Sequence, residues 1–474
     1  MTMPVGDVLP EIAVLVTAII ALLAASFVSH RSQWIGAALA LAGITLATVL
    51  CALQLGESPR LTFSGTWAID AASIWARMLI LAASAVAVLC TPEWLRSDRR
   101  HGEYYTVLLL SALGAMMMAG AADTLQLVMG VLLASITGYI MAAYHRDWAI
   151  SVEAGMKYFL LGAFANTLLM VGIALLYGLL GNSNYAAMAL AMTSTPHSGL
   201  LLLALGLTVV GVGFKLGAVP AHAWLPDVAQ GAPAPAAAFL TVVPKIGAAI
   251  ALARLVVLFD DTTGWRMLIA VMAVATMTLG NLAALWQTDL RRLLGWSSVS
   301  QSGYALMAVA VVGLTERAVP ALLVFLASYA AANLAAFAVV TQLRGRTAID
   351  DYRGLAIQRP WAAAALTLSL LSLAGIPPLA GFVGKLMLFV ATMDAGYTAL
   401  ALAAVANTVV SLFYYLRVLA PMYFEAESGR VELLGRSAGA AVACASVLVV
   451  GFALLSGTWL AHIDVVALLP TQRR

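Results

Sequence analysis

The chain has 474 residues, 63% of them hydrophobic and 10% charged, with a formal net charge of +3. Soluble domains run at about 45–50% apolar and about 25% charged, so this composition excludes a soluble globular protein, and so small a charge gives no ground for nucleic-acid binding. The three cysteines, Cys51, Cys90 and Cys444, fall in separate apolar runs without CxxC pairing, so neither a disulfide framework nor an Fe–S or zinc site is suggested.

A hydrocarbon core about 30 Å thick requires about 20 apolar residues per spanning helix. Such stretches recur from end to end, and the sequence predicts an all-α polytopic membrane protein with about fourteen transmembrane helices. In chain order they lie at 9–29, 34–54, 70–91, 104–121, 123–144, 154–180, 198–218, 234–258, 265–285, 290–313, 318–343, 361–392, 396–424 and 437–462. The first has Asp7 and Glu11 near its start and no Lys or Arg before it, so it reads as a retained helix rather than a secretory signal. Alternate connections hold Arg31, then Arg96, Arg99 and Arg100, Arg146, Arg291 and Arg292, Arg344, Arg346, Arg353 and Arg359, and Arg430 and Arg436. The opposite connections hold mainly Arg60, Arg266 and Arg317, with Arg473 and Arg474 at the tail. Short cytoplasmic loops accumulate basic residues, so the first set is predicted cytoplasmic and both termini fall on the outer face. Asp123 and Glu103, near helix ends, read as interfacial anchors or functional acids. No connection is long enough to fold alone, so residues 1–474 form a single transmembrane bundle.

Only four lysines occur, Lys157, Lys215, Lys245 and Lys385, and each lies within or at the edge of an apolar span, whereas most arginines lie in loops. An ammonium gives up its proton when desolvated, while guanidinium stays charged. One lysine at a helix centre costs about 2.5–3.5 kcal/mol to insert, so these four are expected to face protein or a water-filled cavity. Gly217, Pro220 and Pro226 follow Lys215, and Gly375, Pro377, Pro378, Gly381 and Gly384 precede Lys385. Both spans are therefore predicted to be broken, which membrane depth tolerates only where freed backbone groups meet protein or water. Interrupted spans at matching places in two halves point to a repeat, here spans four to eight and nine to thirteen. Candidate relay or counter-charge groups are His222, Asp227 and Glu153, which is spaced i, i+4 from Lys157, with Gln301 and Ser297, Ser298 and Ser300 on the tenth span. Tyr414, Tyr415 and Arg417 add a further polar cluster on the thirteenth. Helix packing through small polar residues is the competing reading of the serines. No Walker A loop, dinucleotide fingerprint or haem-spaced histidine pair is present.

"GEYYTVLLLSALG" from Gly102, "EAGMKYFLLGAFAN" from Glu153, "GFKLGAVPAHAWLPDVAQGAPAP" from Gly213, "QTDLRRLLGWSS" from Gln287, "LAGIPPLAGFVGKL" from Leu373 and "YYLRVLAPMYF" from Tyr414 carry a resemblance over nearly the whole chain. Together they resemble the antiporter-like membrane subunits of bacterial NADH:quinone oxidoreductase, respiratory complex I, and most of all its N-type subunits. Lysine rather than glutamate at 385 argues against the M type, and the end of the chain soon after the fourteenth span argues against the L type.

The resemblance implies three N-terminal helices (1–100), two inverted five-helix repeats (104–258 and 265–424) with broken seventh and twelfth helices, and a C-terminal helix and tail (437–474). It implies proton transfer by Lys215, Lys245, Lys385 and Lys157, in the bacterial inner membrane, beside M-type and K-type neighbours. No cofactor is implied in this chain; NADH, FMN, Fe–S clusters and quinone belong to partner subunits.

Two departures stand out. Leu132, in "VLLASITGY", takes the place of a family glutamate that pairs with the seventh-span lysine, and Gln301 takes that of a histidine. Without a carboxylate nearby, burial alone disfavours the protonated amine of Lys215. Three functions follow: a proton-translocating subunit with a modified pairing through Glu153 or Asp227, a mainly structural member of the same assembly, or an Mrp-type antiporter or membrane-bound hydrogenase subunit. The retained lysines favour the first.

Overall fold

Where no water can satisfy the backbone, an apolar run must close its hydrogen bonds internally, and this chain does so as helices. The computed structural model describes residues 4–29, 32–98, 101–193, 198–259, 264–426, 433–454 and 468. Three N-terminal helices, α1 (Leu9–Phe27), α2 (Ile35–Leu53) and α3 (Ala71–Leu89), precede α4 (His101–Gly120), α5 (Thr124–Ala142) and α6 (Ala149–Leu180). The seventh crossing is split into α7 (Gly199–Leu216) and α8 (Trp224–Gly231), and the eighth is α9 (Ala234–Leu240) running into α10 (Val243–Val256). Then come α11 (Trp265–Ala284), α12 (Leu290–Val311), α13 (Ala318–Gln342), a second split crossing made of α14 (Pro360–Ala374) and α15 (Ala380–Asp394), α16 (Thr398–Phe424) and α17 (Arg436–Leu454).

Twelve helical stretches among the described residues are long and apolar enough to cross a membrane. The two predicted spans outside that set have physical reasons to fall short. Helix α12 carries Arg291, Arg292 and a serine-rich turn, and α14 and α15 are each too short once the crossing is interrupted. Arg31, Arg99, Arg100, Arg430, Arg473 and Arg474, and residues 455–462 at the end of the last predicted span, lie outside the described residues.

Burial sorts the helices into an inner and an outer set. The stretch Ala234–Val256 is buried along its whole length and α13 almost so, while α1, α2, α6, α16 and α17 turn most of their apolar residues outward. Around α10 pack α3, α4, α7 and α12, and α8 lies against α12, so the second half of each broken crossing is close to the centre.

Three features depart from the sequence reading. A two-stranded antiparallel hairpin, Arg60–Thr62 with Trp67–Ile69, joins α2 to α3 in an otherwise helical chain. Arg291 and Arg266, assigned to loops, are buried: Arg291 donates to the carbonyls of Ala229 and Ala232, and Arg266 to those of Ala310 (3.0 Å) and Val312 (2.7 Å). Arg77 and Arg254 sit inside spans with their own carboxylates. Arg254 grips Asp70 with both terminal nitrogens (2.6 and 2.7 Å), and Arg77 reaches Glu11 at 3.2 Å and Gln54 at 3.1 Å. These pairs fasten α1 and α10 to α3. Asp123 is the N-cap of α5, accepting from the amide of Leu125 at 2.7 Å, which gives it a structural role at the start of that helix.

Candidate functional site

Helices α7 and α14 end in the same way. Gly217 (φ 70°) and Gly375 (φ 88°) take the left-handed conformation that a side chain disfavours, and the next residue's amide reaches back five residues, Ala218 to Gly213 at 2.9 Å and Ile376 to Leu371 at 3.1 Å. Each such end frees carbonyls that must find donors. At the first break the indole nitrogen of Trp224 donates to the Phe214 carbonyl (2.9 Å) and the Ser302 hydroxyl to that of Leu216. At the second, the Gln301 amide donates to the Leu373 carbonyl (3.0 Å) and Lys385 Nζ to that of Ala374 (3.1 Å). Consecutive residues of α12 thus serve opposite breaks.

The lysines do not sit alike around these breaks. Lys215 stands two residues before Gly217, while Lys385 stands ten after Gly375, the place that Asp227 takes after Gly217. Lys385 folds back beside the break, with its ammonium 4.5 Å from the ring centre of Tyr304. Lys245, near the start of α10, donates to the Ser298 carbonyl (2.5 Å) and the Ser302 hydroxyl (2.6 Å). Ser302 therefore bridges the end of α7, one residue from Lys215, to Lys245. From there hydroxyls continue: Ser298 meets Tyr329 (2.6 Å), Tyr329 donates to the Thr241 carbonyl (2.7 Å), and Asn333 donates to the Thr241 hydroxyl (2.8 Å). Ser297 meets Tyr415 (2.5 Å), whose neighbour Tyr414 donates to Asn281 (3.1 Å). Lys215, Lys245 and Lys385 are buried, and none has a carboxylate within 4.0 Å among the described residues.

Lys157 is the exception to the expectation that all four lysines face inward. Its side chain is 45% exposed on the outer face of α6, paired with Glu153 at 2.8 Å and Asp227 at 3.1 Å. Asp227 also binds Arg292 (2.5 Å). Both acids considered as counter-charges for Lys215 are therefore engaged with Lys157. Half-buried His222 faces Trp296 (5.7 Å between ring centres) and bonds to none of the lysines. Arg417 is a structural tie, donating to the carbonyls of Leu285 and Gln287 at 2.5 Å each.

Sequence reasoning passed over the tyrosines that touch the lysines: Tyr139, Tyr158, Tyr304 and Tyr329. The available signal was a tyrosine well inside a span, away from the interfacial belt where tyrosine gathers.

A family model described as NADH:quinone oxidoreductase/Mrp antiporter, TM, matches residues 121–411. Over 405 residues the chain is 44% identical to NADH-quinone oxidoreductase subunit N of Mycobacterium sp. (strain JLS), covering 85% of this chain and 86% of that one. It is 37% identical over 442 residues to the subunit of the same name from Rhodospirillum rubrum, covering 90% of each. A chain of respiratory complex I from Thermus thermophilus superposes with a TM-score of 0.83 at 30% identity, covering 97% of this chain and 100% of that one. A chain of the Mrp complex from Dietzia sp. DQ12-45-1b, 22% identical with a TM-score of 0.83 and covering 98% of this chain and 96% of its own, shares the fold.

Proposed function

The chain belongs to the antiporter-like membrane subunits of NADH:quinone oxidoreductase, and from that membership we propose that it is the N-type, proton-translocating subunit of a complex-I-type membrane arm. It is a multi-pass protein of the bacterial inner membrane, with both termini assigned to the outer face and M-type and K-type subunits as neighbours. NADH, FMN, Fe–S clusters and quinone are assigned to partner subunits. Among the described residues there is no group of three or more His, Cys, Asp or Glu that could hold a metal ion.

One observation carries the reading: three buried lysines without carboxylates, set around two helix breaks whose ends α12 holds. Each amine meets neutral acceptors, so the same site accommodates it with or without the extra proton. Protons are taken up and released at Lys215, Lys245 and Lys385, with Ser302 between the first two and Gln301 at the second break. Lys157, held by Glu153 and Asp227, faces out of the bundle and belongs to an entry or to a contact with a neighbour. The matching ends of α7 and α14 support the division into two five-helix repeats at 104–258 and 265–424.

The test is the proton-to-electron stoichiometry of the assembled complex in proteoliposomes. Lys215→Ala and Lys385→Ala are each expected to lower it with electron transfer and assembly intact. The missing carboxylate beside Lys215 favours one alternative, a mainly structural subunit of the same assembly. An unchanged stoichiometry in both variants would establish that alternative.

A further inference from the structure

A lysine with no exposed surface and no carboxylate within 4.0 Å still needs something to receive its charge whenever it is protonated. Around Lys215 the available groups are aromatic. Its Nζ lies 5.4 Å from the ring centre of Tyr158, 5.5 Å from that of Phe214 and 5.9 Å from that of Tyr139, and it donates to the Tyr158 hydroxyl at 3.3 Å. The rings of Phe214 and Tyr139 fall within the distance of about 6 Å at which the negative face of an aromatic ring attracts a cation, an attraction that grows once water is excluded, while Tyr158, with Trp224 stacked on its face, meets the ammonium through its hydroxyl at the ring edge.

The rings are held in place. Trp224 stacks on Tyr158 (4.2 Å between centres, 15° between planes) and donates its indole N–H to the carbonyl of Phe214 at 2.9 Å, so one side chain fixes two of the three. Tyr139 meets Tyr158 edge-on at 4.8 Å, and its hydroxyl accepts from Asn166 at 3.4 Å. Space has been cleared for both tyrosines. A methyl group on Gly138 would lie 3.1 Å from the Tyr158 ring and hydroxyl, and one on Gly162 would occupy the place of the Tyr139 hydroxyl. Rings in an ordinary apolar core need neither the neighbouring ammonium nor two glycines cut to their outlines.

We propose that the rings of Tyr139 and Phe214, closed by the hydroxyl of Tyr158, form an aromatic cage that holds the protonated form of Lys215, serving as positioning groups for proton transfer in place of a carboxylate. The inference rests on the reading of Lys215 as a proton carrier. A cage differs from an acid in one useful respect: it attracts the ammonium without forming a fixed ion pair, and it leaves no unmatched negative charge when the amine is neutral. The proton's departure therefore costs no separation of opposite charges.

The experiment measures proton pumping by the whole complex in proteoliposomes across a range of pH. Tyr139→Phe keeps its ring and is expected to pump nearly as wild type, whereas Tyr158→Phe removes the hydroxyl that accepts from the ammonium and is expected to lower the Lys215-dependent rate. Tyr139→Leu is expected to lose about tenfold in the Lys215-dependent part of the rate, the scale of one desolvated ring contact, and to move its pH profile. A leucine variant that fails to assemble is replaced by graded fluorination of Phe214, which preserves packing while draining the ring face; the rate should fall step by step with each added fluorine. A flat fluorine series, or a Tyr139→Phe variant that loses as much as Tyr139→Leu, would overturn the cage. Lys215→Ala is the control that separates the two ideas. Loss of pumping there with no response to the rings removes the cage alone, whereas unaltered pumping in Lys215→Ala removes the proton-carrier role on which the cage depends.

Discussion

Two buried regions of this bundle handle positive charge in opposite ways. Between α3 and α10, Arg254 is matched atom for atom with Asp70, and both side chains are wholly buried. Around the two breaks that α12 holds, three lysines are as deeply buried and meet carbonyls, hydroxyls and rings instead. The guanidinium cannot shed its proton and so keeps acceptors at all times, a carboxylate for Arg254 and backbone carbonyls for Arg291; the amine can shed its proton, and a fixed carboxylate would hold it in one state. Buried charge is thus structural in one place and exchangeable in the other, and the residue type marks which is which.

The comparison can be broken most forcefully at the arginine. Asp70→Asn leaves Arg254 as an uncompensated buried charge and should cost about 3–5 kcal/mol, read as loss of assembled subunit from the membrane and a lower melting temperature. A variant that assembles normally would show that the pair is dispensable to the fold. Ser302→Ala removes a hydroxyl that joins the end of α7 to Lys245 and should cost about 1–3 kcal/mol, with a fall in proton-to-electron stoichiometry that exceeds the fall in electron transfer. Equal losses in both would make Ser302 structural. Arg317→Ala, which breaks an exposed pair with Asp394, should change stability by about 0.2–1 kcal/mol and leave pumping alone. A large effect there would mean that exposure in the isolated chain misjudges this surface.

Much of the architecture was legible because apolar length and Gly/Pro interruption are local signals. The runs gave the crossings, and "KLGAVP" and "LAGIPP" gave both breaks. What escaped depends on partners far away in the chain. Arg254 and Asp70 are 184 residues apart, and Arg77 and Glu11 are 66 apart, so an arginine inside a span gave no hint of how it is matched. The four lysines were found together because the type is so rare here, yet rarity could not show which way each one points. Lys157 faces outward because Gly155, Tyr158 and Gly162 turn the opposite side of α6 inward, and Glu153 follows it by helical spacing. The absent carboxylate at Leu132 was also readable. The tyrosines around Lys215 were not, since Tyr139 and Tyr158 come from different helices and Phe214 from a third.

Gln301 and Ser302 hold the two broken ends from neighbouring positions on α12, and neighbours on a helix point about 100° apart. A turn of α12 about its own axis that draws one of these contacts closer carries the other sideways. The two interruptions thus share one support: any displacement of α12 bears on both contacts at once.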